Sequence, residues 1–385
     1  MRFTLSPADE EFRQGVRAWI QQEFPADWDG GAVVSQEQVF SAGWDTNKKL
    51  ADRGWLAMSW PKDYGGGGAT HWQQLVFNEE LAYHRVAAGS AVGIGFAGPT
   101  IIIYGTPEQK TKYLPDTAAG KMVWCQGFSE PGSGSDLGSL QTRAIRDGDR
   151  YIVNGQKIWT SFAHYADQMI LLARTDPGAP KHKGISYFLV DMKSPGITVR
   201  PVIDMSGGHF FNEVFFDDVS VPAECLLGTE NRGWYQATTT LDFERSSVAG
   251  AAALRRSLEE LLAYFKERGL ITPGFRTQAA DMRVSIEVAR GLSYNVVSMQ
   301  SRGQVPNHEA SIAKLYNSEL SQRFARLGFQ HLGLSGQLMP GSSHAALRGR
   351  YADNVLTTIP STIAGGTSEV QRNIIATRGL GLPRG

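Results

Sequence analysis

Four short segments carry residue types that could do chemistry. In Gln126-Gly127-Phe128-Ser129-Glu130-Pro131-Gly132-Ser133-Gly134-Ser135-Asp136, small residues and hydroxyls alternate, so backbone N–H groups could approach an anionic group. Loops in general are rich in the same residues, so composition leaves a phosphate cradle and a plain connector both open. The segment is neither a Walker A sequence nor a G-x-G-x-x-G behind a strand, which sets aside the mononucleotide and Rossmann modes. Trp159-Thr160-Ser161 places an aromatic plane beside two hydroxyls at a strand end. By residue type, Trp159 is either a stacking surface for a flat cofactor or, as Trp more often is, core packing. In Leu241-Asp242-Phe243-Glu244-Arg245, early in a helical pattern, spacing alone favours a solvated Glu-Arg face. Finally, Ile363-Ala364-Gly365-Gly366-Thr367-Ser368-Glu369-Val370-Gln371-Arg372 reads as a glycine turn feeding a capped helix, with N–H groups available to an anion.

The whole chain bounds what these segments can be. At 385 residues it is long enough for two or three domains, and its 38 basic and 38 acidic side chains cancel. No net field draws it to nucleic acid or acidic membranes. Two cysteines, Cys125 and Cys225, are too few for a disulfide scaffold, and their spacing offers no metal cluster, so no metal is expected. The charged N-terminus and the short apolar runs predict a cytoplasmic protein with no membrane span. All nine tryptophans precede residue 235, which suggests different tasks for the two ends.

The elements that must position the four segments follow from periodicity. Phe12, Val16 and Ile20 mark a helix at the start of a helical region. Trp60-Pro61-Lys62-Asp63-Tyr64 and the four glycines behind it must form a turn. From about residue 123 the period shortens. Tyr151-Ile152-Val153, Asn154-Gly155 and Gln156-Lys157-Ile158-Trp159 read as a β-hairpin turning at Asn154-Gly155. Further strands are predicted at Met169–Leu172, Ile185–Val190, Ile197–Val202 and Val214–Phe216. The helical period returns with Leu254, Leu258, Leu261 and Phe265, then Ile286, Ala289 and Leu292. The expected architecture is an α+β multidomain chain: a helical domain over 1–122, an antiparallel β domain over 123–232 and a helical domain over 233–385.

In this order the segments resemble the acyl-CoA dehydrogenase family over residues 7 to 383. The resemblance rests on Trp60-Pro61-Lys62-Asp63-Tyr64-Gly65-Gly66, Tyr104-Gly105-Thr106-Pro107-Glu108-Gln109-Lys110, Ser129-Glu130-Pro131 with Gly134-Ser135-Asp136, Asn154-Gly155-Gln156-Lys157 and Gly366-Thr367-Ser368-Glu369. It implies the family fold, in which the C-terminal domain is a four-helix bundle, and FAD as cofactor. It also implies α,β-dehydrogenation of an acyl-CoA thioester to a trans-2-enoyl-CoA, with electrons passed to an electron-transfer flavoprotein. Carried over residue by residue, Gln126, Phe128 and Ser129 would border the flavin. Gly134 and Ser135 would approach FAD phosphate or the CoA arm, and Trp159 and Ser161 would cover the ring. Gln330, Gly333, Thr367 and Glu369 match FAD contacts of the C-terminal domain. Where many members place their catalytic Glu, this chain has Gly365, which cannot take a proton but borders the substrate position. Isovaleryl-CoA and long-chain members carry the base on a helix instead, and Glu244 matches that place, with Arg245 beside it and Asp242 near the CoA chain.

Two family features are missing. The Arg-x-x-Phe-Gly segment ahead of Ala280-Asp281-Met282 is replaced by the unrelated stretch 264–275, and Gln-x-x-Gly-Gly survives only as Gln330-His331-Leu332-Gly333-Leu334. In relatives both reach the FAD of a neighbouring subunit. The expectation is therefore a homotetramer or, with a sister subunit supplying the lost residues, an α2β2 heterotetramer like some actinobacterial dehydrogenases of steroid side-chain thioesters. The stretch 207–216 is similar to bacterial members of that type. An acyl-CoA oxidase using oxygen and a non-catalytic partner subunit are the alternatives.

Overall fold

The computed structural model describes residues 4–25, 28, 30, 36–88, 91–245 and 250–383; the side chains of 36–39 and 241–245 lie outside the description. In chain order the helices α1 (Pro7–Glu23), α2 (Gln36–Asp52), α3 (His71–Tyr83), α4 (Gly98–Tyr104) and α5 (Pro107–Ala118) come first. The strands follow: β1 (Trp124–Gly127), β2 (Arg143–Asp147), β3 (Arg150–Lys157), β4 (Gln168–Arg174), β5 (Ile185–Asp191), β6 (Ile197–Val202) and β7 (Phe211–Pro222). Helices then fill the rest: α6 (Gly233–Arg245), α7 (Gly250–Glu267), α8 (Pro273–Gln300), α9 (His308–His331), α10 (Arg350–Thr357) and α11 (Ser368–Ile374). Packing groups them into two compact units. One comprises Met1–Val39, Ala69–Ala87 and Arg245–Gly385, and the other Phe40–Gly68 and Ala88–Glu244.

In the second unit, the sheet unit, the seven strands form one sheet. It is antiparallel except at β4, which takes β1 in parallel along Trp124–Gly127 and touches β2 in parallel at Arg143 and Arg174. Strand β5 pairs antiparallel with β4 along its length. From Met169 to Ala173 and from Ile185 to Leu189 the side chains are fully buried, because both faces of these strands are covered. Ile170, Leu172, Tyr187 and Leu189 face one core with Trp60, Tyr113 and Trp124; Met169, Leu171, Phe188 and Val190 face a second with Val153 and Val214. The alternation of side chains along a strand assigns each residue to its layer.

The predicted hairpin at Asn154-Gly155 does not form. Residues 150–157 are one strand, and Asn154-Gly155 is a bulge in it, where the register against β7 shifts between Val153 and Gly155. Gly155 has φ +147°, and a Cβ there would lie 2.6 Å from Thr142 Oγ1. The Asn154 amide is occupied by Asp218, to whose carboxylate it donates at 2.9 Å and from whose N–H it accepts at 3.0 Å. Asn-Gly is thus used for close approach and bulge geometry rather than reversal. The reversal lies earlier, around Gly148 at φ +61°, between β2 and β3.

In the helical unit, α7, α8 and α9 bury Leu258, Leu261, Phe265, Phe275, Ile286 and Phe324. Helices α1 and α3 add an ion-pair network: Arg17 Nε lies 2.8 Å from Glu80, and Arg13 bridges Glu79 at 2.9 Å and Glu80 at 3.2 Å.

Candidate active site

Two of the four segments are zipped together in the sheet unit. Ile158 N–H donates to Ser129 O at 2.9 Å, so the loop behind β1 runs beside the end of β3. Lys157 fastens the same junction from inside. Its ammonium, fully buried, donates to Phe128 O at 3.0 Å and to Glu130 Oε1 at 2.8 Å. The other demands of Glu130 are met by Gln141 N–H at 2.6 Å and Thr142 N–H at 2.8 Å. Burial brings the Lys157 ammonium down to about 8. Burial likewise pushes Glu130 up, but the Lys157 charge and the hydrogen bonds outweigh it and hold the carboxyl below its ordinary range. Glu130 and Lys157 belong to two separate sequence motifs, and only their meeting in space shows that the motifs form one structure.

The zipped segments present an uncovered aromatic wall. Trp159 is 55 % exposed, unlike Trp60 and Trp124, which are buried, so the core reading suggested by residue type alone fails. Its backbone has φ +60° and that of Phe162 has φ +59°. Each costs a non-glycine residue about 1–2 kcal/mol, so the segment persists only because its neighbours hold it. Edge-on contact with Phe211 at 5.7 Å supports the indole. Ser161 and Ser129 are half-buried beside it, and Thr160 Oγ1 and Ser133 Oγ are buried without a hydrogen-bond partner. The Phe128 ring is buried edge-on against Tyr187. Gln126 is half-buried on β1. Gly134 and Ser135 are exposed, and a Cβ at Gly132 or Gly134 would meet nothing within 4 Å, so neither glycine is required by packing.

Helix α6 belongs to the sheet unit up to Glu244. A Cβ at its first residue, Gly233, would lie 2.5 Å from the Ser186 carbonyl carbon, so glycine lets the helix start against β5. One turn short of its end, Thr240 Oγ1 lies 2.8 Å from Thr100 Oγ1 and 3.4 Å from the Tyr187 hydroxyl, and Thr239 meets Tyr104 at 2.9 Å. These bonds set the rotation of the helix that carries Asp242, Glu244 and Arg245, whose side chains lie outside the described residues.

The remaining predicted residues lie in the helical unit. Gly365 and Gly366, with φ of +65° and +92°, make the expected turn, and Thr367 caps α11 by accepting from Val370 N–H. Gln371 and Lys314 hold the two glycine carbonyls at 2.8 and 2.6 Å. Glu369 is exposed on the first turn, while Gln330 and Gly333 are exposed at the end of α9. The same unit has a 330 Å³ cavity lined by Arg13, Arg17, Arg255 and Arg290 against Glu79, Glu80 and Glu287, and none of the predicted site residues lines it. Among the described residues no group of His, Cys, Asp or Glu could hold a metal, and no helix is long and apolar enough to cross a membrane.

The comparisons with known proteins bear on the whole chain. Family models match in three pieces: the acyl-CoA dehydrogenase N-terminal domain over residues 6–121, middle domain over 125–219 and C-terminal domain over 231–380. Acyl-CoA dehydrogenase IpdE1 of Mycobacterium tuberculosis is 37% identical over 97% of this chain and 98% of its own length. Acyl-CoA dehydrogenase FadE34 of the same organism is 41% identical over 82% of this chain, which spans only 43% of that longer protein. Among solved structures, the Tcur3481-Tcur3483 steroid ACAD is 33% identical with a TM-score of 0.91, covering both chains entirely. The ChsE4-ChsE5 complex from Mycobacterium tuberculosis is 35% identical with a TM-score of 0.90 over the same full coverage. The chain belongs to the acyl-CoA dehydrogenase family, FAD-dependent oxidoreductases that act on CH–CH bonds.

Proposed function

We propose that this chain removes the α and β hydrogens of an acyl-CoA thioester, with Glu244 as the base. The observation that carries the reading is the wall of Ser129, Trp159 and Ser161, built at structural cost and left uncovered. Its donor set fits FAD: an exposed indole plane for a ring system, half-buried hydroxyls at its margin, orphaned Thr160 and Ser133 hydroxyls, and uncrowded glycines where a phosphate or CoA arm can approach. Trp159, Ser161 and Ser129 would hold the flavin; Gly134 and Ser135 would hold its phosphates or the CoA arm. Thr367, Glu369, Gln330 and Gly333 match FAD contacts of the family, those of Gln330 and Gly333 being with a neighbouring subunit's FAD. Bound there, FAD supplies the hydride acceptor.

The chain's own residues do the rest. Glu244 takes the α-proton, a task that Gly365 cannot perform. By the family resemblance, Arg245 would be its neighbour and Asp242 would bind the CoA chain. The developing enolate oxygen needs preorganised donors, because the α-proton of a thioester is weakly acidic. Glu244→Gln is the test. The variant should bind FAD and thioester normally yet lose substrate-dependent flavin bleaching by about a thousandfold or more. Bleaching at the parental rate would remove Glu244 from the mechanism.

The finer reading concerns substrate, acceptor and assembly. The steroid named for one structural relative supports a bulky polycyclic acyl chain, and the family resemblance leads us to infer an electron-transfer flavoprotein as acceptor. The two-component names of both structural relatives, together with the replaced stretch 264–275 and Leu334, support an α2β2 assembly.

A further inference from the structure

The sheet unit also holds a 430 Å³ cavity whose lining includes His164, Asp167, Lys193, His209 and Asn212. Asn212 is fully buried and holds Thr160 at both ends: its carbonyl accepts Thr160 N–H at 3.0 Å, and its Nδ2 donates to Thr160 O at 3.0 Å. A backbone carbonyl can only accept, so the amide atom facing Thr160 O is the nitrogen and the other is Oδ1. Two protonation states follow. His209 Nε2, 2.8 Å from Oδ1, carries a hydrogen; His164 Nδ1, 2.9 Å from Nδ2, offers a lone pair, which makes His164 neutral. The two imidazoles stack at 4.0 Å with 19° between their planes.

A proton on His164 Nδ1 would set N–H against N–H. Turning the Asn212 amide over would accommodate it but would put Oδ1 against Thr160 O and Nδ2 against the His209 N–H. No amide orientation satisfies all three partners once His164 is charged. Thr160 lies between Trp159 and Phe162, both in the left-handed region, so the segment depends on this hold and on the Phe162 N–H bond to Phe210 O.

We propose that Asn212, with the stacked His164–His209 pair, is a proton-sensitive latch that positions Trp159 and Ser161. The latch is closed while His164 is neutral and opens as pH falls. Its bearing on the flavin rests on the site reading above; the latch itself does not. The other titratable groups lining the cavity are Tyr165, Asp167 and Lys193. Tyr165 stacks on Phe40 of α2 and lies tilted against the His164 ring at 4.0 Å, and Asp167 is occupied by Val123 N–H at 3.0 Å and by Lys193 at 3.4 Å. Burial, and then the neighbouring His209, hold the His164 ring below its ordinary range, so opening belongs to mildly acidic solution.

Full-length chain labelled with 5-fluorotryptophan tests this by ¹⁹F NMR, with the Trp159 line assigned by its loss in Trp159→Phe. The line should move as pH falls below the ordinary imidazole range, with or without FAD. It should stop moving in His164→Gln, whose amide oxygen accepts the same bond but does not titrate. Asn212→Ala should displace the line at every pH and weaken FAD binding about tenfold. If that variant does not fold, His209→Gln should still shift the midpoint, because it removes the neighbouring imidazole. A pH-independent line in the parent chain, or continued titration in His164→Gln, overturns the latch. If the line titrates as expected while Trp159→Phe leaves the FAD spectrum and affinity unchanged, the latch stands and the flavin-wall reading falls.

Discussion

Lys157 shows how much one side chain contributes to the site. Its ammonium is enclosed with Glu130 and the Phe128 carbonyl, and together they join the loop behind β1 to the end of β3. Removing one member of a buried pair leaves the other charge without compensation, which costs about 3–5 kcal/mol. Lys157→Met should therefore lower the melting temperature sharply, and adding Glu130→Gln should recover part of the loss in calorimetry. The pair also sets an acid limit. Glu130 is held below its ordinary value of 4.5, so its stabilisation is complete above that pH and is lost as pH falls through the lower folded value. The acid-unfolding midpoint of Lys157→Met should lie higher than that of the parent, and an unchanged midpoint would show that the pair does not contribute. Neither effect could be read from residue type, because Glu130 and Lys157 are 27 positions apart and each would ordinarily be solvated.

Among the elements, β3 is where sequence reading and structure part. Asn-Gly between β-forming runs is a strong local signal for a hairpin, yet here it is a bulge inside a strand paired on both sides. The local preference of Gly155 for positive φ is satisfied either way; what selects the bulge is pairing with β7 and the approach of Thr142. Gly155→Ala should cost about 1–3 kcal/mol, through both its backbone conformation and the contact with Thr142. Chemical denaturation would measure it, and a neutral result would mean that β3 can slip to relieve both. Other elements follow the chain closely. The Thr-Pro-Glu-Gln family signature is a capping box: Thr106 accepts from Gln109 N–H, and the Gln109 side chain returns to Thr106 N–H. Its amide also donates to the carbonyls of Glu224 and Leu226, so this motif is a structural tie.

For the whole molecule, the question is what completes the site. The segments that the family resemblance implies would reach a neighbouring subunit's FAD are replaced here in 264–275 and at Leu334, which is 83 % exposed. The chain purified alone should therefore hold FAD weakly, and co-expression with a sister subunit should give an α2β2 species with one FAD per heterodimer. Light scattering and the flavin-to-protein ratio test this. A yellow, active homotetramer from the single chain would refute the need for a partner.

The sequence by itself determined the family, the cofactor class and the order of helical and strand regions. Periodicity reports which face of each element is buried, and the motifs are contiguous enough to survive without coordinates. The candidate base, Glu244 in place of Gly365, came from the family resemblance rather than from spacing. Only the tertiary structure decided which segments share a surface. The Lys157–Glu130 pair, the exposure of Trp159, the inward turn of Phe128 and the Asn212 network arise from contacts between residues far apart in sequence. A local pattern cannot distinguish a buried charge from a solvated one, or a core indole from a wall, until the chain closes around it.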